Sequence, residues 1–202
     1  MLLNHLLHHY KVILGSGSPR RKELLSSMDI EFEQRIRDVN EDILSDWKTK
    51  EVAQKLAERK ALAQQNELKE KEVDFLNEVL ITSDTIVVIG DKILNKPQNR
   101  FEAKEMLNLL SGKKHLVITG VCICTKSKLH SFSDETEVFF KELTQNEIDY
   151  YIQKYKPFDK AGSYGAQEWL GMIAVEKING SYFNVMGLPV QKLYKEWVEF
   201  LT

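Results

Sequence analysis

A strand that breaks on glycine and restarts as a helix is the most restrictive feature of this chain: Lys11-Val-Ile-Leu-Gly-Ser-Gly-Ser-Pro-Arg-Arg-Lys-Glu-Leu-Leu25. Val12, Ile13 and Leu14 form a short apolar run that reads as a buried strand, while Leu24 and Leu25 belong to a helical pattern. Gly15 and Gly17 let a ligand approach the backbone, Ser16 and Ser18 supply hydroxyls, and Pro19 suits a first helical position with Ser18 as its N-cap. The first-turn N–H groups, the positive end of the helix dipole and the guanidiniums of Arg20 and Arg21 then converge on one place that suits an anion, above all a polyphosphate. The same residues also fit a capped turn with a solvated basic pair, and local pattern does not separate the two. Neither the P-loop spacing with its lysine nor a complete dinucleotide fingerprint is present.

A second chemical centre lies in Val79-Leu-Ile-Thr-Ser-Asp-Thr-Ile-Val-Val-Ile89, an apolar strand interrupted by Thr82 to Thr85. An ionised Asp84 in such a run must be paired, bound to a metal or turned toward a ligand. Gly90-Asp91 makes a turn, and Lys92 to Pro97 returns as a short strand that brings Lys96 toward Asp84, where a purely structural ion pair is the competing account. Between the two centres, Ile30 to Ile36 alternates as a half-exposed strand and Asp38 to Asp42 makes an acidic loop. Thr49 to about Glu70 then reads as a long helix with Val52, Leu56 and Leu62 on its apolar stripe.

The helix that comes next is scaffold. Arg100 to Leu110 is an amphipathic helix with Phe101, Met106, Leu107 and Leu110 inward. His115 to Thr125 and Leu129 to Lys141 are strands joined tightly enough to be antiparallel, and Thr144-Gln-Asn-Glu147 is a capping box opening a helix that Pro157 ends. Asp159 to Gln167, with two glycines, two charges and an amide, is an irregular loop that reads as a third site element, a structural loop being the competing account, and a final helix turns Val190, Leu193, Trp197 and Leu201 inward. Alternating helices and strands with antiparallel hairpins predict a single α/β domain around a long, twisted, mixed sheet with helices on both sides.

The segment Ser16-Gly-Ser-Pro-Arg-Arg-Lys-Glu-Leu-Leu25 resembles the opening signature of the Maf family of nucleoside triphosphate pyrophosphatases. Ser83-Asp-Thr-Ile-Val87, Leu94-Asn-Lys-Pro97, Leu110-Ser-Gly-Lys-Lys-His115, Thr119-Gly-Val121, Asp159-Lys-Ala-Gly-Ser-Tyr-Gly-Ala-Gln167 and Ile178 to Pro189 match the same family in the same order. The resemblance implies two lobes around a central cleft, as in inosine triphosphate pyrophosphatases, over residues 11–202, with residues 1–10 as an N-terminal extension. It implies hydrolysis to the monophosphate and pyrophosphate by water attack on the α-phosphorus, with Asp84 as general base. Arg21, Lys60 and Lys96 would be phosphate ligands, Ser16 and Ser18 would hold the phosphate tail, and Glu41 would help to hold Mg²⁺ or Mn²⁺. Arg20, Thr85 and Gln167 agree with the subgroup that prefers dTTP and UTP: a Gln amide both donates and accepts, and so matches the N3–H and carbonyl of uracil or thymine. A nucleotide-sensing or partner-binding regulator of cell division is the rival reading. It would have no need of Asp84.

Composition narrows the alternatives. With 43% hydrophobic residues among 202, the chain can bury one substantial core, and a net charge of −2 gives no electrostatic case for nucleic acid or an acidic membrane. Cys122 and Cys124 are too close in sequence for an easy disulfide and read as buried thiols in a reducing cytoplasm. The segment before Lys11 is too short to span a bilayer and lacks the marks of a signal peptide, and His5, His8 and His9 read as solvated histidines. A homodimer is expected from the resemblance alone.

Overall fold

The computed structural model describes residues 2–202, and within it the chain divides into two compact units. The first comprises residues up to Asp84 with Thr119–Asp134 and Gly187–Thr202; the second comprises Thr85–Ile118 and Glu135–Met186. The elements in chain order are α1 (Leu3–Leu7), β1 (Lys11–Leu14), α2 (Pro19–Ser26), β2 (Glu33–Gln34), α3 (Thr49–Glu70), β3 (Glu78–Ile89), β4 (Lys92–Leu94), α4 (Arg100–Leu110), β5 (Lys114–Cys124) and β6 (Leu129–Phe140). They continue with α5 (Gln145–Tyr155), a 3₁₀ turn (Ala161–Ser163), α6 (Trp169–Ala174), β7 (Val175–Asn179), α7 (Tyr182–Met186) and α8 (Val190–Leu201). Seven strands pair in the order β2-β1-β3-β5-β6-β7, with β4 added to β3. The sheet is mixed, because β2 and β3 run parallel to β1 whereas β4 is antiparallel to β3 and β7 to β6. This is the single α/β domain with a mixed, helix-flanked sheet that the element pattern predicted.

In the first unit α3 lies on the sheet through small residues: Ala57 and Ala61 join Ile13, Leu80, Cys122 and Cys124 in one cluster. Both cysteines are free and buried, and the hydrogen bond between them, together with burial, pushes the Cys122 thiol far above its ordinary value. Leu3 and Leu7 are buried on α1, which packs on α8. In the second unit α4, α5 and α6 enclose Leu107, Leu110, Val117, Val138, Phe140, Ile148 and Leu170. The capping box forms as expected, Thr144 accepting from the Glu147 N–H while Glu147 accepts from the Thr144 N–H. No helix among the described residues is long and apolar enough to cross a membrane.

Several expectations change. The strand expected over Ile30 to Ile36 shrinks to Glu33–Gln34, which pair with Ile13 and Leu14 of β1, and the Arg35 N–H donates to the Leu14 carbonyl at 3.1 Å just past its end. The strand read over Val79 to Ile89 forms as β3 and runs unbroken through its polar residues, whose hydroxyls are satisfied: Thr82 Oγ1 donates to the Ala57 carbonyl at 2.6 Å and Ser83 Oγ to the Gly187 carbonyl at 3.3 Å. Phe101 is 70% exposed, because the buried face of α4 runs Ala103, Leu107, Leu110, a four-then-three spacing that leaves Phe101 outside. Leu62 is exposed likewise, and α8 buries Leu193, Trp197 and Phe200, leaving Val190 and Leu201 half-buried. The return strand stops at Leu94, and the Asn95 carbonyl accepts instead from the Gly162 N–H at 3.3 Å.

Candidate active site

The loop between β1 and α2 is held from several sides. Gly15 donates its N–H to the Ile81 carbonyl at 2.7 Å, and a Cβ on Gly15 would stand 2.5 Å from Gln64 Nε2 and 2.7 Å from Thr82 Cγ2, so no larger residue fits without displacing them. Gln34 Nε2 donates to the Ser16 carbonyl at 3.1 Å. Gln64 in turn donates to the Arg35 carbonyl and accepts from Arg35 Nε, while Arg35 reaches Glu78 Oε2 at 2.9 Å. Pro19 is the first helical residue and Ser18 the N-cap, as expected, but the Ser18 side chain makes no capping hydrogen bond; its N–H donates to Ser16 Oγ at 3.3 Å.

Arg21 turns inward from the first turn of α2, with Nε donating to the Gly187 carbonyl at 2.9 Å and a terminal nitrogen donating to Ser16 Oγ at 3.1 Å. Burial pushes its guanidinium below the ordinary value; Asp84 pulls it back up, Arg20 adds to the lowering and Glu41 opposes it. Arg20, Arg21, Glu41 and Asp84 therefore share one electrostatic neighbourhood.

At its centre is Lys60. From the buried side of α3 its ammonium donates to Asp84 Oδ1 and lies 2.7 Å from Glu41 Oε1, so one cation bridges the mid-strand carboxylate and the acidic loop. Nothing local distinguishes Lys60 from other lysines of α3; its place opposite β3 does. Among the described residues there is no group of three or more His, Cys, Asp and Glu side chains able to hold a metal, and His8 and His9 only approach each other, Nδ1 to Nδ1, at 3.2 Å. The Glu41 and Asp84 pair nonetheless fits Mg²⁺ or Mn²⁺. Both are hard oxygen donors already converging on a positive charge, and such ions use one or two carboxylates with water and substrate phosphates.

Thr85, Lys96 and Gln167 belong to the second unit. Thr85 is half-buried in β3, and Lys96 is an exposed residue just beyond β4. Gln167 precedes α6 on a loop whose Tyr164 hydroxyl meets His115 Nε2 at 2.8 Å, and its Oε1 is buried with no hydrogen-bond partner among the described residues. Tyr151, Lys160 and Glu168, which brace this loop, were not singled out by sequence reasoning. Tyr151 and Glu168 carry no local signal. Gln64 does carry one, since it is a polar residue on the buried face of α3.

Known proteins resemble this chain over nearly its whole length. A family model described as Maf-like protein matches residues 11–200. A dTTP/UTP pyrophosphatase of Porphyromonas gingivalis is 49% identical over 96% of each chain. A protein of the same name from Parabacteroides distasonis is 51% identical over 96% of this chain and 98% of its own, and one from Flavobacterium johnsoniae is 47% identical over 100% and 98%.

Proposed function

The chain belongs to the Maf-like protein family, and on that footing we propose that it hydrolyses nucleoside triphosphates, preferring dTTP and UTP, to the monophosphate and pyrophosphate. The observation that carries this reading is Asp84, a carboxylate buried in mid-strand and gripped by Lys60 beside the Ser16 and Arg21 loop. The names and near-complete coverage of the relatives support it.

In this reading Asp84 orients a water molecule and takes its proton as the water attacks the α-phosphorus. Arg21 and Lys60 neutralise developing charge on the phosphates, and the Ser16 and Ser18 loop holds the tail at the start of α2. Lys60 has to exchange its carboxylate partners for phosphate when substrate arrives. A divalent cation held by Glu41 would supply further charge neutralisation at the phosphate oxygens. Lys96 is assigned to the phosphates, and Arg20, Thr85 and Gln167 to substrate choice. Gln167 Oε1 has no hydrogen-bond partner among the described residues, and a bound pyrimidine N3–H would supply the donor that this acceptor lacks.

The test is a panel of canonical triphosphates with pyrophosphate detected as product. Catalytic efficiency on UTP and dTTP is expected to exceed that on purine triphosphates by about a thousandfold, as for a site built to pair a base's polar edge. Equal efficiency on GTP and UTP overturns the base assignment, and absence of pyrophosphate from every substrate overturns the hydrolase reading.

A further inference from the structure

The loop carrying Gln167 is fastened by a partly buried polar network that the proposed reaction does not use. Tyr151, on the inner face of α5, donates its hydroxyl to Glu168 Oε2 and accepts from the Gly165 N–H at 3.1 Å. Lys160, only 7% exposed, puts its ammonium 3.1 Å from Glu168 Oε1 and 2.6 Å from Asp159 Oδ1. The Glu168 N–H closes a turn onto the Gly165 carbonyl at 3.1 Å, and the Glu168 carbonyl accepts the Met172 N–H of α6 at 3.0 Å. Gln167 thus sits between two residues, Gly165 and Glu168, that are each tied to Tyr151.

The loop needs such fastening. Gly162 and Ser163 are consecutive left-handed residues, φ +66° and +63°, and the serine is of a type that rarely adopts that conformation. Val87 leaves no room for a side chain at Gly162, and the Glu168 carboxylate leaves none at Gly165. Tyr164 holds the loop onto the sheet through Phe140, 4.9 Å between ring centroids, and through its hydroxyl on His115 Nε2, but these contacts act at Tyr164 and not at the residue that follows Gln167. Hydrogen bonds are directional. Burying Tyr151 and Lys160 as polar groups around the half-buried Glu168 costs desolvation that apolar residues would avoid, so the network's presence here calls for something that apolar packing cannot supply.

We propose that the Tyr151–Glu168–Lys160 network is a positioning device that holds the Gln167 amide in the one orientation that pairs with a pyrimidine edge, and so sets base selectivity. This rests on the reading of Gln167 as the base-contacting residue. Loss of the network lets the amide turn, so the pyrimidine substrate loses its matched pair while a purine substrate loses little.

The test compares kcat and KM on UTP and GTP for Tyr151→Phe, Lys160→Met, Lys160→Arg and Gln167→Glu, with folding monitored by thermal melting. Tyr151→Phe and Lys160→Met are expected to lower the UTP-to-GTP ratio of kcat/KM at least tenfold, through a raised KM for UTP with kcat within about threefold. Lys160→Arg, which keeps the charge, should retain most of the ratio. In the Gln167→Glu background, Tyr151→Phe should no longer change the ratio, as two residues acting through one contact require. If Tyr151→Phe does not fold, the two Lys160 variants decide by the same ratio. If Gln167→Glu shifts the ratio while Tyr151→Phe and Lys160→Met lower both substrates equally, the network is merely structural and the inference falls, with the base reading intact. If Gln167→Glu leaves the ratio unchanged, both fall.

Discussion

A carboxylate in the middle of a buried strand must be neutralised, and at Asp84 the neutralising group is the Lys60 ammonium, shared with Glu41. Asp84→Asn keeps the shape of the side chain and removes its charge and basicity. Turnover of UTP is expected to fall by about a hundredfold to ten-thousandfold with the melting profile still cooperative. Near-normal turnover in that variant rules Asp84 out as the base. His115 supplies a different residue-scale test. Burial lowers its pKa from 6.5 to about 4, so the folded protein holds it neutral while the unfolded chain takes up a proton below 6.5. Stability from this source is therefore complete above 6.5 and drains away as pH falls toward 4. Between pH 7.5 and pH 5 the loss amounts to about 2 kcal/mol. Urea titrations at the two pH values should show it, and His115→Phe should flatten the difference even if it is less stable at pH 7.5.

At the scale of elements, the close seat of α3 on the sheet is the feature most exposed to test. A Cβ on Gly120 of β5 would fall 2.2 Å from the Ala53 carbonyl carbon and 2.3 Å from the Gln54 nitrogen, both backbone atoms that cannot step aside. Gly120→Ala must push α3 outward, at a cost on the order of 3 kcal/mol as overpacking. Because α3 also carries Lys60, turnover should fall along with the denaturation midpoint; a midpoint within experimental error of the parent's refutes the close-contact account. The capping box of α5 and the register of β3 on β1, with Val12 opposite Val79 and Ile13 opposite Leu80, are by comparison set by local chemistry and strand pairing alone.

For the molecule as a whole, the balance of charge decides what it can hold. With a net charge of −2 the protein has no general attraction for phosphates, so positive charge has to be gathered locally, as Arg20, Arg21 and Lys60 are around Asp84 and Glu41. In the proposed reaction Glu41 would hold a divalent cation against the triphosphate. Excess chelator is therefore expected to abolish pyrophosphate release from UTP, and Mg²⁺ or Mn²⁺ to restore it. Activity that persists in excess chelator removes the metal from the mechanism and leaves the lysine and arginines to carry the charge.

The sequence by itself determined the elements whose signals are local. The β1–loop–α2 passage follows from its glycines, Pro19 and apolar runs, the span of α3 from a long helix-forming composition, and the start of α5 from Thr144 and Glu147, because each depends on residues within a few positions of one another. The same holds for the free, buried Cys122 and Cys124 on one side of β5. Strand ends and helix faces were less legible. Phe101 and Leu62 are apolar yet exposed, and β2 is as short as its one partner allows, since burial depends on what packs opposite rather than on the residue itself. Only the tertiary structure decided that Lys60, among the many lysines of this chain, meets Asp84 and Glu41. It also decided that Gln64 and Arg35 brace the Gly15 loop, and that Tyr151 and Lys160 meet at Glu168. The Lys60–Asp84 and Gln64–Arg35 contacts join residues more than twenty positions apart, and no helical or strand periodicity records a distance of that kind.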